Sequence, residues 1–439
     1  MRIKIIGIAA ITWLAVGAGT PAMAQDMNYS ATTLSGNWGG VRQRLHDDGV
    51  DLSADYVGEF AHNISGGKRK ASAYADQIHI GALFDFGKLW GWSGGSLHID
   101  LNDRNGPQLD QKAALGTLLE TQEIYGAGHG TRLTRFYYEQ QLWNDLIDVK
   151  LGRMDISDSF FPFSCNFQNL NFCGSLPGYN TQGWYNWPVA QTGGVLRINP
   201  GRTWYVKLGI FQANKNNLLQ ARGLAFAPTG KNQGTLSLFE LGWKTNLAGN
   251  SDLPGSWAIG GWHNSGNYPN VAFDSNEQPI ALSGSAAKLE NSVSGTYAMG
   301  QQKVLNNDAG GGLSIFGNFM KGDSKTDLVD EKISLGLFYE APFASRPHDR
   351  IGFAIGRDHV SDLIDAAARQ FNYADQLSGF ALGPRMPTPG YEYVTELNYK
   401  AQIIPGAYLM PDIQYIHHPG GTRTKADATV LGLRIALTF

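Results

Sequence analysis

Along most of this chain apolar and polar residues alternate one by one. In the closing stretch ATVLGLRIALTF, Leu431, Leu433, Ile435, Leu437 and Phe439 are apolar, and Gly432, Arg434, Ala436 and Thr438 between them are small or polar. Successive side chains of a strand point to opposite faces, so this is a strand with one oily face and one that tolerates a guanidinium. The same pattern sets Leu52, Ala54, Tyr56 and Phe60 against Asp51, Ser53, Asp55 and Glu59, and Leu97, Ile99 and Leu101 against His98, Asp100, Asn102 and Arg104. It recurs at 77–86, 146–153, 332–340 and 391–402. About sixteen such segments can be counted, near the length of tilted membrane strands.

The connections carry a second pattern. Short ones (143–145, 199–202, 403–406) alternate with long ones (about 105–130, 154–189, 214–233, 267–290 and 361–389). A chain that meanders through a bilayer, with tight turns on one side and large loops on the other, has this rhythm. The expected fold is all-β: a transmembrane antiparallel up-and-down β-barrel of about 16 strands, with a short N-terminal helical segment. Closure requires the last strand to pair with the first, near Val50–Asn63, and an even strand number puts both chain ends on the short-turn side.

The front of the chain changes the picture of where it goes. Arg2 and Lys4 precede an apolar run from Ile5 to Val16, and Ala22-Met23-Ala24 offers a cleavage pattern before Gln25, so residues 1–24 read as a secretory signal peptide. The run is too short for a transmembrane helix, which needs about 20 apolar residues. The expected organisation is a leader (1–24), a periplasmic segment with a short helix (25–49) and a barrel (50–439). Without the leader, 33 basic residues stand against 38 acidic ones, which gives no polybasic surface for nucleic acid. Glycine (55) and aromatic residues are plentiful and charge is sparse at 17%, as suits strands and turns.

Several stretches resemble the carbohydrate-selective porin family, the OprB-type glucose porins of Gram-negative outer membranes. They are LSGNWGGVRQRLHDDGV (34–50), SCNFQNLNFCG (164–174), YVTELNYKAQIIPGAYLMPDIQYIHHPGG (393–421) and the last strand VLGLRIALTF. The resemblance implies a sixteen-stranded barrel in the outer membrane that passes monosaccharides, with no cofactor. Partners implied or compatible are small neutral sugars, outer-membrane lipid and lipopolysaccharide, the barrel-assembly machinery acting on Phe439, and further copies in a homotrimer.

A barrel this wide holds water, so selectivity needs a constriction of inward-folded loops and nearby wall residues. The loop 154–189, long and rich in Phe, Asn and Trp, is the expected constriction. Carboxylates and guanidinium groups bind adjacent sugar hydroxyls, and Trp or Tyr covers the C–H face of the ring. The candidates near the constriction are Lys150, Arg153, Asp155, Asp158, Asn166, Trp184, Trp187 and Arg197; those expected to line the wall are Asp55, Glu59, Asp100, Arg104, Glu139, Glu396 and Arg434. Export and a spacing of eight residues favour a Cys165–Cys173 disulfide that staples the loop. With no His nearby, the two cysteines do not make a zinc site.

Weaker motifs point elsewhere. His417-His418 reads as loop histidines, DLNDRNG (100–106) departs from a calcium loop at its fifth and twelfth positions, and Lys68, Arg69 and Lys70 form a basic loop tip, solvated or facing lipopolysaccharide phosphates. The rivals are a general or anion-selective porin and an outer-membrane barrel hydrolase. For the hydrolase, no Ser/His/Asp set is apparent among the ten histidines. A phosphate channel would show a ladder of lumen cations, and here acids match bases.

Overall fold

The computed structural model describes residues 28–125, 128–163, 165–201, 203–226, 233–378 and 382–439. The leader expected at 1–24 lies outside them.

Sixteen antiparallel strands form a closed barrel, each bonded to its neighbours, and the first (Val50–Ser65) pairs with the last (Ala428–Thr438). Closure leaves no free backbone edge inside the bilayer, which is the condition for a sheet to span it. Two further strands, Tyr268–Asp274 and Ala287–Glu290, make a small ribbon apart from the barrel. They sit in one long connection, so Pro254–Asn264 pairs directly with Val293–Asn306. The connection 361–390 carries the longest helix among the described residues, Asp362–Ser378, whose Ala367 packs with Ala272 and Phe273 of the ribbon.

Alternation decides what each strand shows to lipid. Ile78, Ile80, Leu335, Leu397, Leu431 and Leu433 are exposed on the outer wall, whereas Glu392, Val394, Glu396 and Asn398 on the inner rank are buried. At the short-turn end Trp90, Trp92, Trp143 and Trp204 are exposed, and at the other end Tyr74, Tyr391, Tyr393 and Tyr415 are, as two aromatic girdles require. Part of the glycine excess has a packing cause. A Cβ on Gly242 would lie 2.0 Å from the Tyr205 ring, and one on Gly260 would lie 2.3 Å from that of Tyr297. These inward rings lie flat over strand glycines.

The long-loop side is less regular than the sequence pattern suggests. Connections 66–71, 322–328 and 418–427 on that side are modest in length, while 86–94 and 341–349 on the short-turn side run to a short helix and a bridged turn. The N-terminal segment is fastened to the short-turn end. Its helix Val41–Asp47 leads into the first strand, Arg42 Nη2 donates to Leu52 O (3.1 Å), and the Leu34 amide donates to Thr438 O (2.8 Å). DLNDRNG lies mostly in the strand Gly95–Asn105 rather than in a loop. His417 and His418 stack at 3.7 Å, and His417 Nδ1 contacts Asp427 (2.8 Å).

Candidate functional site: a constriction of two latched loops

The loop after Ile147–Met154 turns into the barrel. Phe160, Phe161, Phe167, Phe172 and Trp184 are at most 0% exposed, and they form one core with inward residues of the wall such as Tyr297, Phe316 and Phe338. Phe161, Phe163 and Phe167 meet rings of strands on the far side of the sheet. Part of the lumen is therefore packed rather than wet. Apolar burial brings the loop in, but a loop in a dry interior must also satisfy its amides.

Wall carboxylates do that. Glu396 accepts from the amides of Gln168 (2.9 Å) and Asn169 (2.8 Å). Glu240 accepts from the Phe161 amide (3.1 Å), Lys207 Nζ (2.9 Å) and the hydroxyls of Tyr205 (3.0 Å) and Tyr297 (2.7 Å). Arg350 Nη1 donates to Asn166 Oδ1 (2.7 Å). Lys332, paired with Asp358, reaches Asn171. Thr181 Oγ1 donates to Asp327 (2.9 Å), whose carboxyl, outside the strands, is pushed by burial up to about 7.

The connection 106–129 enters as well, which its sequence did not reveal. Its Glu123 amide donates to Gln168 O (2.9 Å), and the Leu170 amide donates back to Glu120 O (3.0 Å). Gln122 Nε2 donates to Glu59 O (2.7 Å), and Glu392 accepts from the Leu118 amide (3.0 Å). Inside this loop Asp110 receives Thr117 Oγ1 (2.6 Å) and the Thr121 amide (3.0 Å). Burial, then the charge of Asp110, pushes Glu120 up to about 7.

Between the two loops and the wall lies an open cavity of about 310 Å³. Arg104, Glu123, Asp158, Tyr179, Tyr185 and Trp187 supply its polar and aromatic lining, and the Cys165–Cys173 disulfide forms part of its wall. Gln77 Oε1 accepts from both Arg104 Nε (2.8 Å) and Trp187 Nε1 (3.2 Å), fixing a guanidinium and an indole side by side. Behind Trp187 runs a charged chain. Asp55 contacts His79 (3.2 Å), His79 contacts Asp100 (2.9 Å), and Arg135 joins Asp100 (3.1 Å) to Asp158. Arg135 also lies 5.2 Å from the Trp187 ring.

The expected residues separate into groups. Asp158 and Trp187 of the constriction set line the cavity, together with Arg104 of the wall set. Asp155 caps the short helix Ile156–Asp158; burial and Asp158 push its carboxyl up to about 6. Asn166 is a latch. Trp184 is fully buried against Trp262, 5.6 Å away, so it offers no ring face to a solute. Lys150, Glu139 and Arg197 stand lower in the lumen. Lys150 lies 3.9 Å from Glu139, which meets His98 at 3.0 Å, and Arg197 covers the Tyr205 ring at 4.4 Å.

Two expectations need correction. Arg153 does not share a face with Lys150, because residues three apart on a strand point to opposite sides. It stands in register with Phe136, in the rank of Val149 and Leu151, buried at 4% with Nε donating to Leu133 O (3.3 Å). Glu59, Glu396 and Arg434 do not line a water-filled wall. Glu59 and Glu396 are 0% exposed, and Arg434 holds Glu59 (3.3 Å), Glu123 (3.0 Å) and Phe167 O (3.3 Å). Glu123, Tyr179 and Tyr185 were missed because nothing local marks a loop residue as facing a cavity.

A closed sixteen-stranded barrel with an apolar outer belt, aromatic girdles and inward-folded loops is an outer-membrane channel of the porin class. The chain belongs to the carbohydrate-selective porin, OprB family, whose family model matches residues 69–439. It is 34% identical to Porin B of Pseudomonas aeruginosa over 97% of this chain and 95% of that protein. It is 32% identical to the putative porin QuiX of Acinetobacter baylyi over 92% and 93%. Among solved structures, the high-pH structure of Pseudomonas putida OprB superposes with a TM-score of 0.87 at 34% identity, covering 94% of this chain and all of that one. The protein is thus a carbohydrate-selective channel of a Gram-negative outer membrane.

Proposed function

We propose that the channel passes monosaccharides one at a time through the cavity between the loops 106–129 and 155–190. The juxtaposition of Arg104 and Trp187 on one Gln77 oxygen carries this reading. A sugar needs a donor for adjacent hydroxyls and a flat apolar surface for its C–H face, and the two side chains supply these at one spot. Glu123 and Asp158 supply acceptors on the same cavity. Its volume, about 310 Å³, is at the small end of ligand sites, roughly 300–1,000 Å³, which suits one ring better than two. Each contact is weak enough for release, as conduction demands.

Concentration-dependent block of single-channel current by glucose tests this. Trp187→Ala should weaken the block by about tenfold, the effect of roughly 1.4 kcal/mol; an unchanged block removes the cavity from the path. Two finer readings go with the architecture: recognition of Phe439 during barrel assembly, tested by deleting it and measuring membrane insertion, and a homotrimer, tested by light scattering in detergent.

A further inference from the structure

Arg350 and Lys400 stand directly opposite one another in register on adjacent strands, Arg350–Val360 and Tyr391–Ile404. Lys400 lies on the inward rank of Glu396 and Asn398, and the register sets Arg350 on the same side. Like charges directly opposed across a ladder are destabilising, with Cβ atoms typically about 5 Å apart, so such a pair calls for an anion. None is provided. Among the described residues no carboxylate oxygen lies within 4.0 Å of either cation, although Glu340 faces Arg350 in register. The other acids nearby are occupied: Glu396 by the amides of the constriction loop, Asp412 by Gln414, and Glu59 and Glu123 by Arg434.

The surroundings are those of a small-molecule site. The Lys400 ammonium rests 4.0 Å from the Tyr408 ring centre, and the Arg350 guanidinium lies 4.7 Å from that of Phe338. Arg350 Nη1 bonds Asn166 Oδ1, which leaves other guanidinium N–H groups, and its buried Nε has no hydrogen-bond partner. Asn398 Nδ2, beside Lys400 on the rank, donates to Asn166 O (3.2 Å). Both cations therefore sit just beneath the latched loop, on the short-turn side.

We propose that Arg350 and Lys400 form a binding site for the carboxylate of a small hydroxylated acid, a sugar acid being the class that fits, on the exit side of the constriction. The carboxylate bridges the two cations by charge-assisted hydrogen bonds, and the Tyr408 and Phe338 rings flank it. The slight excess of acids over bases in the sequence hides this, since Glu396, Glu240, Glu59 and Glu123 hold loop amides or paired cations. The proposal rests on the reading of the protein as a sugar channel and extends its solutes to sugar acids.

The test uses the full-length protein in planar bilayers, with sodium gluconate and glucose as blockers of single-channel current. Lys400→Gln is the informative variant, because Lys400 makes no bond to the loop, and Lys400→Arg keeps the charge. Gluconate should block the native channel and the Lys400→Arg channel alike, and Lys400→Gln about tenfold more weakly, while block by glucose changes less than about twofold. Gluconate block indifferent to Lys400→Gln, with glucose block intact, would overturn the site. Absence of block by either solute would overturn both the site and the sugar-channel reading.

Discussion

Glu59 and Arg434 face each other in register across the seam where the first strand meets the last, and Glu123 of the loop 106–129 closes over their ion pair. The barrel's closure and the position of its constriction thus meet at one guanidinium. Removing one partner of a buried pair typically costs about 3–5 kcal/mol, because the other charge is stranded. Arg434→Gln leaves two carboxylates uncompensated, and it should lower the temperature at which the barrel unfolds in gel-shift assays more than Glu59→Gln, which leaves Glu123 to hold Arg434.

Wall carboxylates accepting its amides are one of the fastenings of the loop 155–190. Hydrogen bonds to charged groups contribute about 1.5–3 kcal/mol each, and Glu396 makes two to this loop. Glu396→Ala should leave the barrel folded and release the loop locally. The expected readout is a larger single-channel conductance and a narrower gap between glucose and disaccharide permeation.

Reading the sequence for period two recovered what a strand encodes locally: which residues face lipid, how many strands there are, which connections are long, and that Thr438 and its neighbours pair with the first strand. It could not recover who occupies the lumen. Glu396 and Gln168 are 228 residues apart, and no local signal announces that a polar inward residue will meet an amide rather than water. The same blindness hid the entry of 106–129. Arg153 was a different failure: the alternation itself sets it in the rank of Val149 and Leu151, away from Lys150.

The buried carboxyl of Glu120 makes the loop 106–129 sensitive to pH. Its ordinary value of 4.5 is raised to about 7 in the folded loop. The unfolded segment therefore loses its proton first as pH rises, so the stabilisation is fully present below about pH 4.5 and is lost as pH climbs through 7. Hydrogen exchange at the Leu170 amide, which donates to Glu120 O, should lose protection between pH 5 and pH 8. Glu120→Gln should flatten that dependence.

The Cys165–Cys173 bridge closes a short segment on the cavity wall. A disulfide chiefly restricts the unlinked alternatives of the chain, by about 2–4 kcal/mol. Reduction should leave barrel melting nearly unchanged, because the barrel strands do not contain the bridge, and should raise open-channel current noise as the cavity rim loosens.

The most direct measurement is swelling of proteoliposomes in a series of neutral solutes of rising size. A constriction built from two latched loops around a cavity for one ring predicts that glucose enters faster than a disaccharide, by more than free diffusion explains. Entry rates that simply follow diffusion coefficients, with no step between one ring and two, would contradict it.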